Sequence, residues 1–198
     1  LLRENFQRNF AYDNLMSLSD DDLILINDLD EIPNLENFIY KKKITVFKQV
    51  MLYFKLNLIY PDISWSGSKI CKKKDLINPQ WLRNVKTKKY PIWRLDILFS
   101  KKRYNDIQVI DKGGWHFTNI KTPEEIHYKY KSYCHHREYE LSGMNVDKIK
   151  EIIKSKHTLY DLKIDQRKNK MGKGMKLINL ENKDLPNYIV NNKNSFIE

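Results

Sequence analysis

Leu23-Ile24-Leu25-Ile26 is an unbroken run of four large apolar residues, followed at once by Asn27-Asp28-Leu29-Asp30-Glu31-Ile32-Pro33. A run this short, entered from the polar residues 17–22, predicts a strand buried on both faces, as in a parallel sheet. Pro33 cannot donate to a continuing ladder, so the acidic residues are held at the carboxyl end of that strand. In open α/β sheets this is the end at which ligands bind. The chain is therefore expected to be an α/β protein with its chemistry near residues 27–31.

The surrounding pattern supplies flanking elements. Residues 3–16 place Phe6, Phe10, Leu15 and Met16 near helical spacing and predict an amphipathic helix. Asn34 is a candidate cap for a helix over 35–40, and 44–58 fits either a strand or a helix. Residues 63–70 read as a turn entering a strand, and 93–99 and 107–110 as two further strands. Gly113-Gly114 permits backbone conformations closed to other residues, just before Trp115-His116-Phe117. Helices are predicted over 123–139 and 146–156, a basic loop over 166–176 and a short docking segment over 185–190. With 198 residues the expectation is a single domain.

A net charge of +11 arises from lysines dispersed in short runs, as on a solvated face. An apolar content of 41% is enough for a core and too high for a disordered chain. No stretch reaches the eighteen apolar residues of a membrane span, so no membrane segment is expected within this chain. The two cysteines, Cys71 and Cys134, have no metal-ligand spacing. Cys134-His135-His136 does not predict zinc, because adjacent helical residues diverge by about 100°.

Asp28 and Asp30, two positions apart at a strand end, are expected to project to one side and hold a hard divalent cation through oxygen. Such a cation bridges phosphates. Trp115 offers an apolar face to a sugar ring, and His116 can ligate metal or hydrogen-bond a hydroxyl or phosphate.

The stretch Asp21-Asp22-Leu23-Ile24-Leu25-Ile26-Asn27-Asp28-Leu29-Asp30-Glu31-Ile32-Pro33 resembles the signature of glycosyltransferase family 17, the β-1,4-N-acetylglucosaminyltransferases. Further blocks agree in order: Arg3-Glu4-Asn5-Phe6-Gln7-Arg8-Asn9 upstream, then Trp65-Ser66-Gly67, then Gly113-Gly114-Trp115-His116-Phe117 with Thr122-Pro123-Glu124-Glu125-Ile126. Leu185-Pro186-Asn187-Tyr188-Ile189 is similar to the family's closing segment. The resemblance implies a GT-A-like mixed sheet flanked by helices that binds a nucleotide sugar, here lacking its first N-terminal strands. It implies transfer of N-acetylglucosamine from UDP-GlcNAc to a glycan or glycoprotein hydroxyl, N-glycans among them, with inversion and with Mn²⁺ or Mg²⁺ as cofactor. Eukaryotic members are anchored in Golgi membranes.

Carried over by position, the resemblance implies that Asp28, Asp30 and His116 serve the metal. Arg3, Arg8, Asp28, Trp115 and His116 would meet the donor, Asp28 through either the metal or the ribose. Inversion requires a carboxylate base across the sugar from the cation. Glu31 is the first candidate, as the neighbour of the Asp-x-Asp pair that points to the opposite face of a continuing strand, followed by Asp111 and Glu138. His135 falls in a stretch similar to the family's, from which Arg137 departs. Two rival readings are a metal-dependent nuclease or phosphodiesterase and a basic nucleic-acid-binding module. The acidic cluster over 20–31 opposes the second, and no nucleic-acid partner is expected.

Overall fold

Strong β-forming composition, Ile44-Thr45-Val46-Phe47 above all, settles the segment left open between strand and helix: it is a strand. The computed structural model describes residues 2–15, 17–87, 90–91, 93–97, 99–100, 107–132, 136–162, 171–181 and 184–192. Its elements in chain order are α1 (Leu2–Phe10), β1 (Leu23–Ile26), β2 (Glu31–Pro33), β3 (Ile44–Tyr53), β4 (Leu58–Lys72), α2 (Pro79–Asn84), β5 (Ile107–Ile110), β6 (Gly114–Thr118), α3 (Pro123–Ser132), α4 (His136–Leu141), α5 (Val146–Lys154), β7 (Ile178–Asn179) and α6 (Asn187–Asn191). The protein is mixed α/β, with a seven-stranded sheet and flanking helices. The sheet order is β1-β4-β3-β6-β2, with β5 added to β3 and β7 to β4.

Two compact units divide the chain, one formed by residues 1–50 and 64–116, the other by 51–63 and 117–198. The first is built on β1, β2, β5, α1, α2 and the adjoining parts of β3, β4 and β6. β5 runs parallel to β3, whereas β1 pairs antiparallel with β4 and β2 antiparallel with β6. Ile24, Ile44, Val46, Cys71, Leu76, Trp81, Leu82 and Val85 make its core, with Tyr12 and Leu15 packed against them. Each such burial contributes about 2 kcal/mol. α2 is fixed at its start by Asn78, whose Oδ1 accepts from the Trp81 N–H at 2.8 Å, with Pro79 in the first turn.

In the second unit, α3 packs against α4 and α5, and Lys150 of α5 pairs with Glu124 of α3 at 2.9 Å. Asn145 caps α5 by accepting from the Lys148 N–H. Ile126, Tyr139, Ile149, Leu159, Leu177, Leu185 and Ile189 are buried, so the closing segment does dock through Leu185 and Ile189.

Several expectations are corrected. β1 is a strand, but an antiparallel one at the end of the sheet order, with Leu23 46% exposed. Burial on both faces is therefore not found: of the four residues only Ile24 is buried, with Leu25 and Ile26 partly so. No helix follows Asn34. Asn37 adopts φ 57°, outside the right-handed helical region, and the Phe38 ring packs on Phe47 with centroids 5.3 Å apart. Residues 63–70 contain no turn and lie inside the 15-residue β4. Within 93–99, Leu95–Ile97 forms a 3-10 turn, where Asp96 holds Arg94 in a two-nitrogen ion pair.

Candidate functional site

β1 delivers its acidic sequel into a tight turn. The Glu31 N–H donates to the Asp28 carbonyl at 3.0 Å, and Asn27 Nδ2 donates to the carbonyls of Asp28 and Glu31. The Asp-x-Asp pair therefore sits on a turn and not on a strand, and its two carboxylates take different partners. Asp28 accepts from Arg8 Nη2 at 2.8 Å through Oδ1 and from Arg83 Nη2 at 2.7 Å through Oδ2. Asp30, with a side chain 53% exposed, lies 3.4 Å from His116 Nε2. Leu29 between them is fully exposed.

An open cavity of about 570 Å³ adjoins this turn, within the range of small-molecule sites. Its lining combines the apolar Ala11, Leu25, Ile26 and Pro79 with the polar Gln7, Arg8, Asn27, Asp28 and Asp30. Arg8 enters from the last turn of α1 and is oriented by Asp28 and by Gln80 Oε1 at 3.0 Å. Two bonds leave further guanidinium donors for an anion. Arg3 is exposed one turn earlier and is not part of the lining.

Glu31 occupies the opposite of a base's situation. Its carboxylate has no solvent exposure and accepts from Trp65 Nε1 at 2.6 Å, from both terminal nitrogens of Arg83, and from the Asp28 N–H at 3.1 Å. Arg83 also donates to the Gly67 carbonyl at 2.9 Å. Burial works against the Arg83 charge, but Glu31 and then Asp28 outweigh it and raise the guanidinium above its ordinary value. Lys69 closes the helix that carries Arg83: its buried ammonium donates to the carbonyls of Arg83 and Val85. Burial, then the Arg83 charge, lowers that ammonium to about 8 against the pull of Glu31.

The β2–β6 register sets Glu31 opposite His116 and Ile32 opposite Trp115. Successive strand residues face opposite sides, so Trp115 and His116 do not share one surface as the sequence suggested. The indole that meets His116 is that of Trp65, stacked on the imidazole with centroids 4.7 Å apart and planes 10° apart. Gly114 makes the β2–β6 approach possible: it adopts φ 138°, and a Cβ there would stand 2.2 Å from the Ile32 carbonyl oxygen.

The remaining expected residues are separate. Asp111 is in the same unit, with a side chain 78% exposed and an ion pair to Lys48 at 3.0 Å. Glu138 belongs to α4 of the second unit. Cys134 and His135 lie outside the described residues. Among the described residues, no group of three or more His, Cys, Asp or Glu side chains converges as a metal site; Asp30 and His116 form a pair.

Arg83, Lys69 and the role of Trp65 were missed in the sequence. Asn78-Pro79 carried a signal for the first, since a capping residue followed by proline starts a helix and places Arg83 in its last turn. Compared with protein-family models, curated proteins and solved structures, the chain matches none.

Proposed function

We propose that this chain is a metal-dependent glycosyltransferase with a GT-A-like nucleotide-binding arrangement. More particularly, we assign it as an inverting N-acetylglucosaminyltransferase that uses UDP-GlcNAc and a glycan hydroxyl, of the kind found in family 17. The observation that carries this reading is the cavity whose lining brings Arg8 and Asp30 together with the apolar Ala11, Leu25, Ile26 and Pro79. A nucleoside suits the apolar residues, and a diphosphate suits a guanidinium and a carboxylate that can share a cation.

A carboxylate oxygen and an imidazole nitrogen side by side fit Mn²⁺ or Mg²⁺, with diphosphate oxygens and water as further ligands. Asp30 and His116 would hold the ion, which supplies charge stabilisation to the leaving diphosphate. Asp28 has both oxygens engaged by arginines, so its part is to orient Arg8 toward the phosphates. The base must be reachable by the acceptor hydroxyl. Glu31, without exposure, does not meet that condition, which leaves Asp111, exposed and paired with Lys48, as the base candidate within this unit.

A thermal-shift titration with UDP and UDP-GlcNAc, each with Mn²⁺ or with EDTA, tests the assignment. Stabilisation by UDP that EDTA abolishes is the expected result. Equal stabilisation in EDTA removes the metal from the reading, and no response to any uridine nucleotide overturns it.

A further inference from the structure

The Glu31 carboxylate accepts from two groups with different further partners: Arg83, which holds Asp28, and Trp65, which covers His116. Trp65 contributes in two directions. Its face lies nearly parallel to the imidazole, which stops the ring from tilting, and its N–H is tied at 2.6 Å to a carboxylate with no solvent exposure, which stops the indole from rotating in its own plane. That carboxylate is itself fixed by Arg83, whose helix is capped at both ends by Asn78 and Lys69. An imidazole held this way keeps Nε2 beside Asp30.

We propose that Trp65 is a positioning residue: clamped at its N–H by Glu31, it fixes the His116 ring so that Nε2 faces Asp30. Its importance for metal binding rests on the reading of Asp30 and His116 as the pair that holds the cation. Phenylalanine at 65 would keep a stacking face but no donor, and leucine would keep neither, so the two contributions separate by variant. The relationship is that of an outer group orienting a metal-binding histidine, where loss of the outer group typically costs about 10- to 100-fold in affinity.

The test uses the 198-residue chain and two readouts. In metal-free protein, proton–carbon spectra of the His116 ring are compared among wild type, Trp65→Phe and Trp65→Leu. The indole's ring current should displace the wild-type signals upfield, Trp65→Leu should return them to ordinary histidine positions, and Trp65→Phe should fall between. Calorimetry of Mn²⁺ in the presence of UDP should show affinity reduced about 10- to 100-fold in both variants. His116 signals indifferent to Trp65→Leu overturn the proposal, as does Mn²⁺ affinity indifferent to both variants. If wild type binds no Mn²⁺ with UDP while the ring signals move as stated, the donor-site reading fails and the positioning of His116 stands.

Discussion

Arg83 holds one oxygen of Asp28 at 2.7 Å while Arg8 holds the other at 2.8 Å, so both oxygens of the first acid of the Asp-x-Asp pair are engaged by cations of the chain itself. The two acids should respond differently to the same change. Asp28→Asn leaves a largely buried guanidinium short of a charged acceptor and should cost about 2 kcal/mol of stability. Asp30→Asn, at an exposed position, should stay within about 0.5 kcal/mol of wild type yet lose transfer. Urea denaturation beside an activity assay reads both. Activity retained in Asp30→Asn removes that residue from the cation site.

Glu31→Gln should behave as a broken buried pair, losing about 3 kcal/mol, and any residual turnover should keep its acidic limb. Asp111→Asn should lose that limb together with most of the rate, because a general base is inactive when protonated. Glu138→Gln serves as the comparison. Were Glu31→Gln to fold normally and lose the acidic limb, Glu31 would be the base after all.

Lys69 gives a pH dependence with a definite sign. Its ammonium ionises near 8 in the folded chain against 10.5 for the ordinary group, so between those values the unfolded chain binds more protons and stability rises with pH. Cys71 opposes this as pH nears and passes 9, since burial raises its thiol to about 12 and the folded chain then holds the extra proton. Between pH 8 and 9 the Lys69 contribution of about 1 kcal/mol outweighs the onset of the Cys71 one, and stability should increase by about 0.6 kcal/mol. Lys69→Met should lack that rise and be less stable throughout, having lost the donors to two carbonyls.

Gly67→Ala should cost about 2 kcal/mol. An added Cβ would fall 1.9 Å from Gln49 Oε1 and 3.0 Å from Trp65 Cδ1. Melting of the variant, with the His116 ring signals followed alongside, shows whether the indole shifts.

What the sequence disclosed is what local spacing can disclose. The strand at 23–26, the acids behind it and the helix carrying Arg8 are readable because run length and periodicity act within a few residues. The antiparallel pairing of β1 was hidden because its partner residues are those of 69–72, and a run of apolar residues does not state the direction of its neighbour. Arg83 was hidden for the same reason: its carboxylate partners are more than fifty residues away, and among so many cations nothing local marks the one that is buried. Trp115 and His116, adjacent in sequence, invited a shared role that the alternation of a strand forbids. GT-A likeness, the donor and the metal rest on motif resemblance and on the cavity's chemistry.

The Glu31 carboxylate, surrounded by donors and away from water, also bears on kinetics. Since Arg83, Trp65 and the Asp28 turn are already locked before any ligand arrives, this side of the cavity has little ordering left to do on association. Stopped-flow traces of UDP binding should then show an observed rate that grows linearly with nucleotide concentration, at a slope set by encounter and by the charge of Arg8. A plateau would reveal a slow rearrangement that the saturated hydrogen bonding around Glu31 gives no reason to expect.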